Sequence, residues 1–302
     1  MGQDLAHAYA PAKEVFERAD AALGFSLSKL CFAGPEDELN RTDVSQPAIL
    51  AHSWAVFEVL RSTDAGKELI ESANACAGLS LGEYSALAAA GAMQWEDALK
   101  LVRKRGEFMQ AACDLVPSTM ASILNLGEKD LEAVCEKAAE ETEGVCVMAN
   151  FNSPGQIVIA GDKKAVAKAC ELAKEAGAKR CIELSVAGAF HSPLMEPARE
   201  QLAAEIENVQ FRDPVLPVVA NVTAKPVTTA GEAKRLLIQQ LTVPVRWADS
   251  MELLVQDNFS RFVEIGPGNV LAGLLRKIAR EAVKESVGTA EEVDTFLGAG
   301  AA

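Results

Sequence analysis

Apolar and polar positions follow two different rhythms along the chain. Residues 11–23 have helical spacing, with Pro11 in the first turn and Gly24 as the stop. A further short element begins at 28–34 and ends in a Gly34-Pro35 turn. Residues 43–47 lead into a helix running to about 61, with Ile49, Trp54, Val56, Phe57 and Leu60 as its apolar content. A long helix over 95–114 carries Ala98, Leu101, Val102 and Phe108 on one side, and Lys100, Arg103, Lys104 and Arg105 among its polar positions.

From 119 to 186 the period changes. Residues 121–126, 145–151, 156–160 and 180–186 read as strands, and 128–141 and 162–176 as helices. The order is β-α-β-β-α-β, the ferredoxin-like or split βαβ arrangement, here as an insertion. Helices and strands then alternate again: a helix over 195–209, a strand over 217–221, a helix over 232–241, extended chain over 243–247 where Pro244 forbids a helix, a strand over 262–265, and a helix over 270–280. The pattern predicts an α/β class with a mainly parallel sheet. The body covers 1–118 and 187–287, the small subdomain 119–186. Residues 288–302, rich in Gly, Ala and acids, read as a flexible tail.

Composition narrows the function classes. Of 302 residues 49% are hydrophobic, enough for a sizeable core. No apolar run is long enough to span a bilayer, and no basic or apolar leader opens the chain. A formal net charge of −14 argues against a nucleic-acid binder and against an anionic membrane surface. Seven scattered cysteines without a C-x-x-C pair argue against a metal site or disulfide framework, and for a reducing compartment.

Chemistry concentrates at Gly78-Leu79-Ser80-Leu81-Gly82, a Gly-x-Ser-x-Gly run between a short strand-like stretch, 73–77, and a helix over 83–90. A serine at such a strand-to-helix turn is a nucleophile elbow, with both glycines making room for the turn. The plain alternative is a Gly-rich turn that happens to hold a serine. A serine nucleophile needs a base, and the chain has three histidines. His7 reads as solvated and His52 as a packed helix histidine. His191, in the loop Ala187-Gly188-Ala189-Phe190-His191-Ser192-Pro193, is the best candidate. No acid stands out to orient it, which leaves a backbone carbonyl or an amide side chain. Spacing does not single out Arg105: a basic run on a helix is usually a solvated face.

Five blocks together resemble the malonyl-CoA:acyl carrier protein transacylases of fatty acid synthesis. They start at Gly78 (Gly-Leu-Ser-Leu-Gly-Glu-Tyr-Ser-Ala-Leu), Arg103 (Arg-Lys-Arg-Gly-Glu-Phe-Met-Gln), Asn150 (Asn-Phe-Asn-Ser-Pro-Gly-Gln-Ile), Gly188 (Gly-Ala-Phe-His-Ser-Pro-Leu-Met) and Glu264 (Glu-Ile-Gly-Pro-Gly-Asn-Val-Leu). The resemblance implies an α/β-hydrolase-like body with a ferredoxin-like insertion, and a malonyl-serine intermediate at Ser80 with His191 as base. It also implies Arg105 as holder of the malonyl carboxylate, the Leu81 N–H as an oxyanion donor, the Gln240 main-chain carbonyl orienting the histidine, and Phe190 as the malonyl-type residue of its loop. Malonyl-CoA and the phosphopantetheinyl carrier protein are substrates, and no cofactor or metal is implied.

Lys100, Arg103, Lys104, Lys179, Arg180, Arg276 and Lys277 are candidates for docking the acidic carrier. A soluble monomer is expected. Leu79 stands where the family usually has His; the Gly-Leu-Ser-Leu-Gly form is that of plastid-type members, which suggests the plastid stroma, with the cytoplasm as alternative. The family also has a first strand and a Pro-Gly-Gln-Gly-x-Gln loop, which align ahead of Met1 and supply a second oxyanion donor. Its loss costs about 100- to 1,000-fold in kcat. A serine thioesterase or hydrolase on the same fold, and a catalytically impaired carrier-binding homologue, are the competing expectations.

Overall fold

The computed structural model describes residues 1–299. The chain opens with six helices: α1 (Gln3–Ala8), α2 (Ala10–Leu23), α3 (Leu27–Ala33), α4 (Glu36–Leu39), α5 (Thr42–Arg61) and α6 (Asp64–Ser72). Next come β1 (Cys76–Ala77), α7 (Gly82–Ala89) and α8 (Trp95–Leu115). The inserted unit is β2 (Ser118–Leu124), α9 (Glu128–Thr142), β3 (Cys146–Ser153), β4 (Gln156–Asp162), α10 (Lys163–Glu175) and β5 (Arg180–Glu183). The chain returns through α11 (Glu196–Asn208), β6 (Val218–Val219), β7 (Pro226–Val227), α12 (Ala230–Gln239), α13 (Trp247–Gln256), β8 (Arg261–Ile265), α14 (Val270–Ile278), β9 (Val283–Val287) and α15 (Ala290–Ala299).

The fold is mixed α/β. In the body, β1 pairs in parallel with β6, β6 pairs antiparallel with β7, and β8 pairs in parallel with β9 in a separate two-stranded sheet. The main core packs helices against helices: Leu50, Val56 and Leu60 of α5 meet Leu99 and Val102 of α8, with Phe16 of α2 beside them.

Two features of this body fix the site. Gly106 on α8 lets α5 approach so closely that a Cβ there would lie 2.6 Å from the Cα of Asp43. Pro47, inside α5, has no N–H to give the Asp43 carbonyl, and Arg103 Nη1 of α8 donates to that oxygen instead at 2.5 Å. α5 therefore starts at Thr42, before Pro47, and brings Gln46 against α8.

In the inserted unit the strand order is β3-β4-β2-β5, with every neighbouring pair antiparallel. Both faces of this sheet are covered, as the period of 2 requires. Ala121, Ile123, Ile157 and Ile159 face α9 and α10. Met120, Val158 and Ala160 face the other way, onto Ala189 and the partly buried Phe190. The second face of the sheet is thus the wall on which the loop before His191 rests. Val245 ties the unit to the body: its N–H donates to the Ala149 carbonyl at 2.9 Å, and its carbonyl accepts from the Phe151 N–H at 2.8 Å.

The expected flexible tail at 288–302 is ordered over most of its length. β9 pairs with β8, and α15 follows, with Val293 fully buried. Asp4 accepts the Ala290 N–H at 2.8 Å, and Tyr9 donates to Asp294 at 2.5 Å, so α15 is anchored to the first helices. Residues 300–302 of that stretch lie outside the described residues. No described helix is long and apolar enough to cross a membrane.

Candidate active site

Ser80 sits between β1 and α7 with φ at 51°, a left-handed conformation that costs a non-glycine residue energy and needs support on both sides. Asn221, just beyond β6, gives that support. Its Oδ1 accepts the Ser80 N–H at 2.6 Å, and its Nδ2 donates to the Gly78 carbonyl at 2.7 Å. The two glycines are not equivalent. A Cβ on Gly78 would lie 2.0 Å from the backbone of Gly82, whereas a Cβ on Gly82 would meet nothing within 4 Å. Only Gly78 is sterically required, which corrects the expectation that both make room for the turn.

His191 also has positive φ, 57°. The loop before it is held by the Ala189 N–H on Ser118 Oγ at 3.2 Å and by Ser192 Oγ on the Ala189 carbonyl at 2.6 Å. Its Nε2 lies 2.8 Å from Ser80 Oγ, and its Nδ1 lies 2.7 Å from the Gln240 carbonyl. A carbonyl can only accept, so Nδ1 carries the proton and Nε2 is free to accept from the serine. Burial, and after it the positive charge of Arg105, push the His191 pKa down to about 4.

Arg105 is the largest fully buried side chain, at 1% exposure. Its position on α8, set by the Gly106 contact, points it into the site rather than to solvent. Nη2 donates to Ser80 Oγ at 2.9 Å and to Gln240 Oε1 at 3.1 Å, and Nη1 donates to Gln46 Oε1 at 2.6 Å. Every one of these acceptors is neutral. Its Nε is buried and has no hydrogen-bond partner among the described residues. A guanidinium so held is ready for an incoming carboxylate. Its neighbours on α8 have acidic partners: the half-buried Arg103 pairs with Asp43 and Glu107, and the exposed Lys104 with Glu107.

Ser80, His191, Arg105 and Gln240 therefore meet at one place. Leu81 and Phe190 flank them, both partly buried. Glu83, Asn221 and Gln46 complete the cluster, and the reading of the sequence missed all three. Asn221 ends a predicted strand, the usual position for site residues in α/β folds, and Glu83 lies inside the elbow block. Gln46 left no signal. A cleft of about 970 Å³ reaches the elbow at Gly78, Leu79, Leu81 and Gly82 and runs between β1 and β8. Among the described residues, no cluster of three or more His, Cys, Asp or Glu could hold a metal ion.

The chain is similar to known proteins along nearly its whole length. The family profile described as "Acyl transferase domain" matches residues 1–297. The chain is 43% identical over 297 residues to the malonyl CoA-acyl carrier protein transacylase of Bacillus subtilis (strain 168), covering 98% of this chain and 92% of that protein. It is 42% identical over 278 residues to the Escherichia coli (strain K12) protein of the same name, covering 92% and 88%. The crystal structure of acyl-carrier-protein-S-malonyltransferase from Bartonella henselae superposes with a TM-score of 0.93 at 41% identity, covering 100% of this chain and 95% of that one. A type II PKS acyl-carrier protein in complex with its malonyl-transacylase gives 0.92 at 38%, covering 99% and 94%.

Proposed function

The chain belongs to the acyl transferase domain family, and from that premise we propose that it moves a malonyl group from malonyl-CoA to the phosphopantetheine thiol of an acyl carrier protein, in fatty acid synthesis. The observation that carries the reading is the meeting at Ser80 Oγ of a neutral imidazole and a buried guanidinium. The first makes a nucleophile. The second selects an acyl group that bears its own carboxylate.

The chemistry runs in two halves. His191 Nε2 takes the Ser80 hydroxyl proton as Oγ attacks the thioester carbonyl, and the Gln240 carbonyl holds Nδ1–H throughout. The Leu81 N–H, at the start of α7, donates to the oxyanion. CoA departs as its thiol with the proton from His191. A malonyl-serine ester remains, its free carboxylate one methylene from the ester carbonyl and within the range of Arg105. The carrier thiol then gives its proton to His191 Nε2 and attacks the ester carbonyl; the bond to Ser80 Oγ breaks, and Oγ takes the proton back from Nε2. Water taking the thiol's place at this step would release free malonate, so the second half needs water kept out.

The domain reading goes with this. We take 119–186 as a ferredoxin-like insertion, supported by the order β3-β4-β2-β5, and the remainder as an α/β-hydrolase-like body. We read the protein as a monomer that uses its two substrates and no cofactor. The compartment is read as the plastid stroma on the Leu79 variant alone, with the cytoplasm as the alternative.

The test is transfer. With malonyl-CoA and phosphopantetheinylated carrier protein the expected product is the malonyl-carrier thioester. Arg105→Ala is expected to cut the preference for malonyl over acetyl by about 10- to 100-fold, the worth of a charged hydrogen bond. Release of free malonate without malonyl-carrier would contradict the reading.

A further inference from the structure

Glu83 is a buried carboxyl that the mechanism above does not use. It stands in the first turn of α7 at 2% exposure, and its Oε2 accepts from Gln240 Nε2 at 2.7 Å and from the Asn221 N–H at 3.2 Å. Those two residues are the ones that hold the site. Gln240 carries the carbonyl under His191 Nδ1, donates through Nε2 to the Ser80 carbonyl at 2.9 Å, and accepts from Arg105 through Oε1. Asn221 braces the elbow on both sides of Ser80. One carboxyl group therefore lies behind the nucleophile, the base and the cation together.

The order of groups gives this a direction. Along one line lie a carboxylate, an amide and a guanidinium: Glu83, Gln240, Arg105. Burial pushes the Glu83 pKa up to about 7, while the Gln240 and Asn221 hydrogen bonds and the charge of Arg105 favour the ionised form; that form can only accept, and a guanidinium can only donate. An amide between them has one permitted orientation, nitrogen toward Glu83 and oxygen toward Arg105. The arrangement also keeps the acid one residue away from the cation. In direct contact, Glu83 would form an ion pair with Arg105 and compete with any incoming carboxylate. Through Gln240 it offsets part of the buried positive charge and leaves Arg105 bonded to neutral oxygens only.

We propose that Glu83 is a positioning residue for acyl selection: through the Gln240 amide it holds Arg105 open to the substrate carboxylate. The inference rests on the reading of Arg105 as the group that holds that carboxylate. Glu83 itself touches no reacting atom.

The test compares rates of acyl-serine formation with malonyl-CoA and with acetyl-CoA, by intact mass, in wild type, Glu83→Met, Glu83→Gln, Gln240→Leu and the double variant Glu83→Met/Gln240→Leu. Glu83→Met fills the volume but offers no acceptor. It is expected to lower malonyl acylation by about 10- to 100-fold, the range for a hydrogen bond to a charged group, and acetyl acylation by less, so that the malonyl:acetyl ratio falls. Glu83→Gln keeps an oxygen for both N–H groups but loses the charge that orients the amide. Its ratio is expected between those of wild type and Glu83→Met. Gln240→Leu keeps the backbone carbonyl under His191 and should lower the ratio alike, and the double variant should add little to either single change.

A purely structural role would slow both acyl groups in equal proportion. A ratio within twofold of wild type in whichever Glu83 variants fold overturns the proposal, as does full additivity in the double variant. Arg105→Ala separates the two claims. If it leaves the ratio unchanged, the reading of Arg105 itself has failed. If it lowers the ratio while the Glu83 variants do not, only the role of Glu83 has.

Discussion

At Ser80 and His191 the backbone is in an unfavourable conformation at both reacting residues, with φ of 51° and 57°. Asn221 holds the first in place and the Ser118–Ala189 contact holds the loop of the second. Neither anchor was visible beforehand, because each joins positions far apart in sequence. The same is true of Arg105. In sequence it is the last member of a basic run, whose ordinary reading as a solvated face fits the exposed Lys104 but not the half-buried Arg103. What sets Arg105 apart is the close contact of Gly106 with α5, a property of packing that one helix cannot reveal. The chemistry at this scale is testable by pH. His191 is buried beside a cation, so protonation is disfavoured and the neutral, proton-accepting form persists down to about 4. Inactivation by phenylmethylsulfonyl fluoride, an uncharged serine reagent with no need of Arg105, should therefore hold its rate as pH falls through 6.5 and lose it only near 4. A limb at 6.5 would mean that the imidazole is solvated in the free enzyme.

Among the elements, the turn from β1 to α7 is the most constrained, and its two glycines make opposite predictions. Gly78→Ala puts a methyl into the backbone of Gly82 at 2.0 Å, which neither side can yield. A loss of about 3 kcal/mol or more in urea unfolding is expected, in the upper range for overpacking. Gly82→Ala adds a methyl in open space on a helical residue, and should change stability by no more than about 1 kcal/mol. Equal effects from the two would contradict the geometry of the elbow. The inserted unit was legible as a whole. Its strands are short, nearly continuous apolar runs and its helices space apolar positions between charges, so the change of pattern marks each boundary. The body was less so. β1 and β6 are two residues each, too short for a period. α15 was taken for a tail because Gly, Ala and acids suggest fraying; contacts with Asp4 and Tyr9, some 285 positions away, make it a helix.

On the scale of the whole molecule, the body supplies the nucleophile, the cation and Gln240, while the loop carrying His191 rests on the inserted sheet through Ala189. The two parts also join at Val245, which bonds to Ala149 and Phe151, but the chemistry lies where Ser80 and His191 meet. This explains why five separated blocks of sequence were needed to recognise a site that one Gly-x-Ser-x-Gly could only suggest. It also places the central claim in one bond: a malonyl group carried on Ser80 Oγ between two substrates. The most direct measurement is intact mass after incubation with malonyl-CoA in the absence of carrier protein. The wild-type chain should gain a single malonyl group that disappears on adding phosphopantetheinylated carrier, and Ser80→Ala should gain none. No adduct on the wild-type chain, or an equal adduct on Ser80→Ala, would contradict the account.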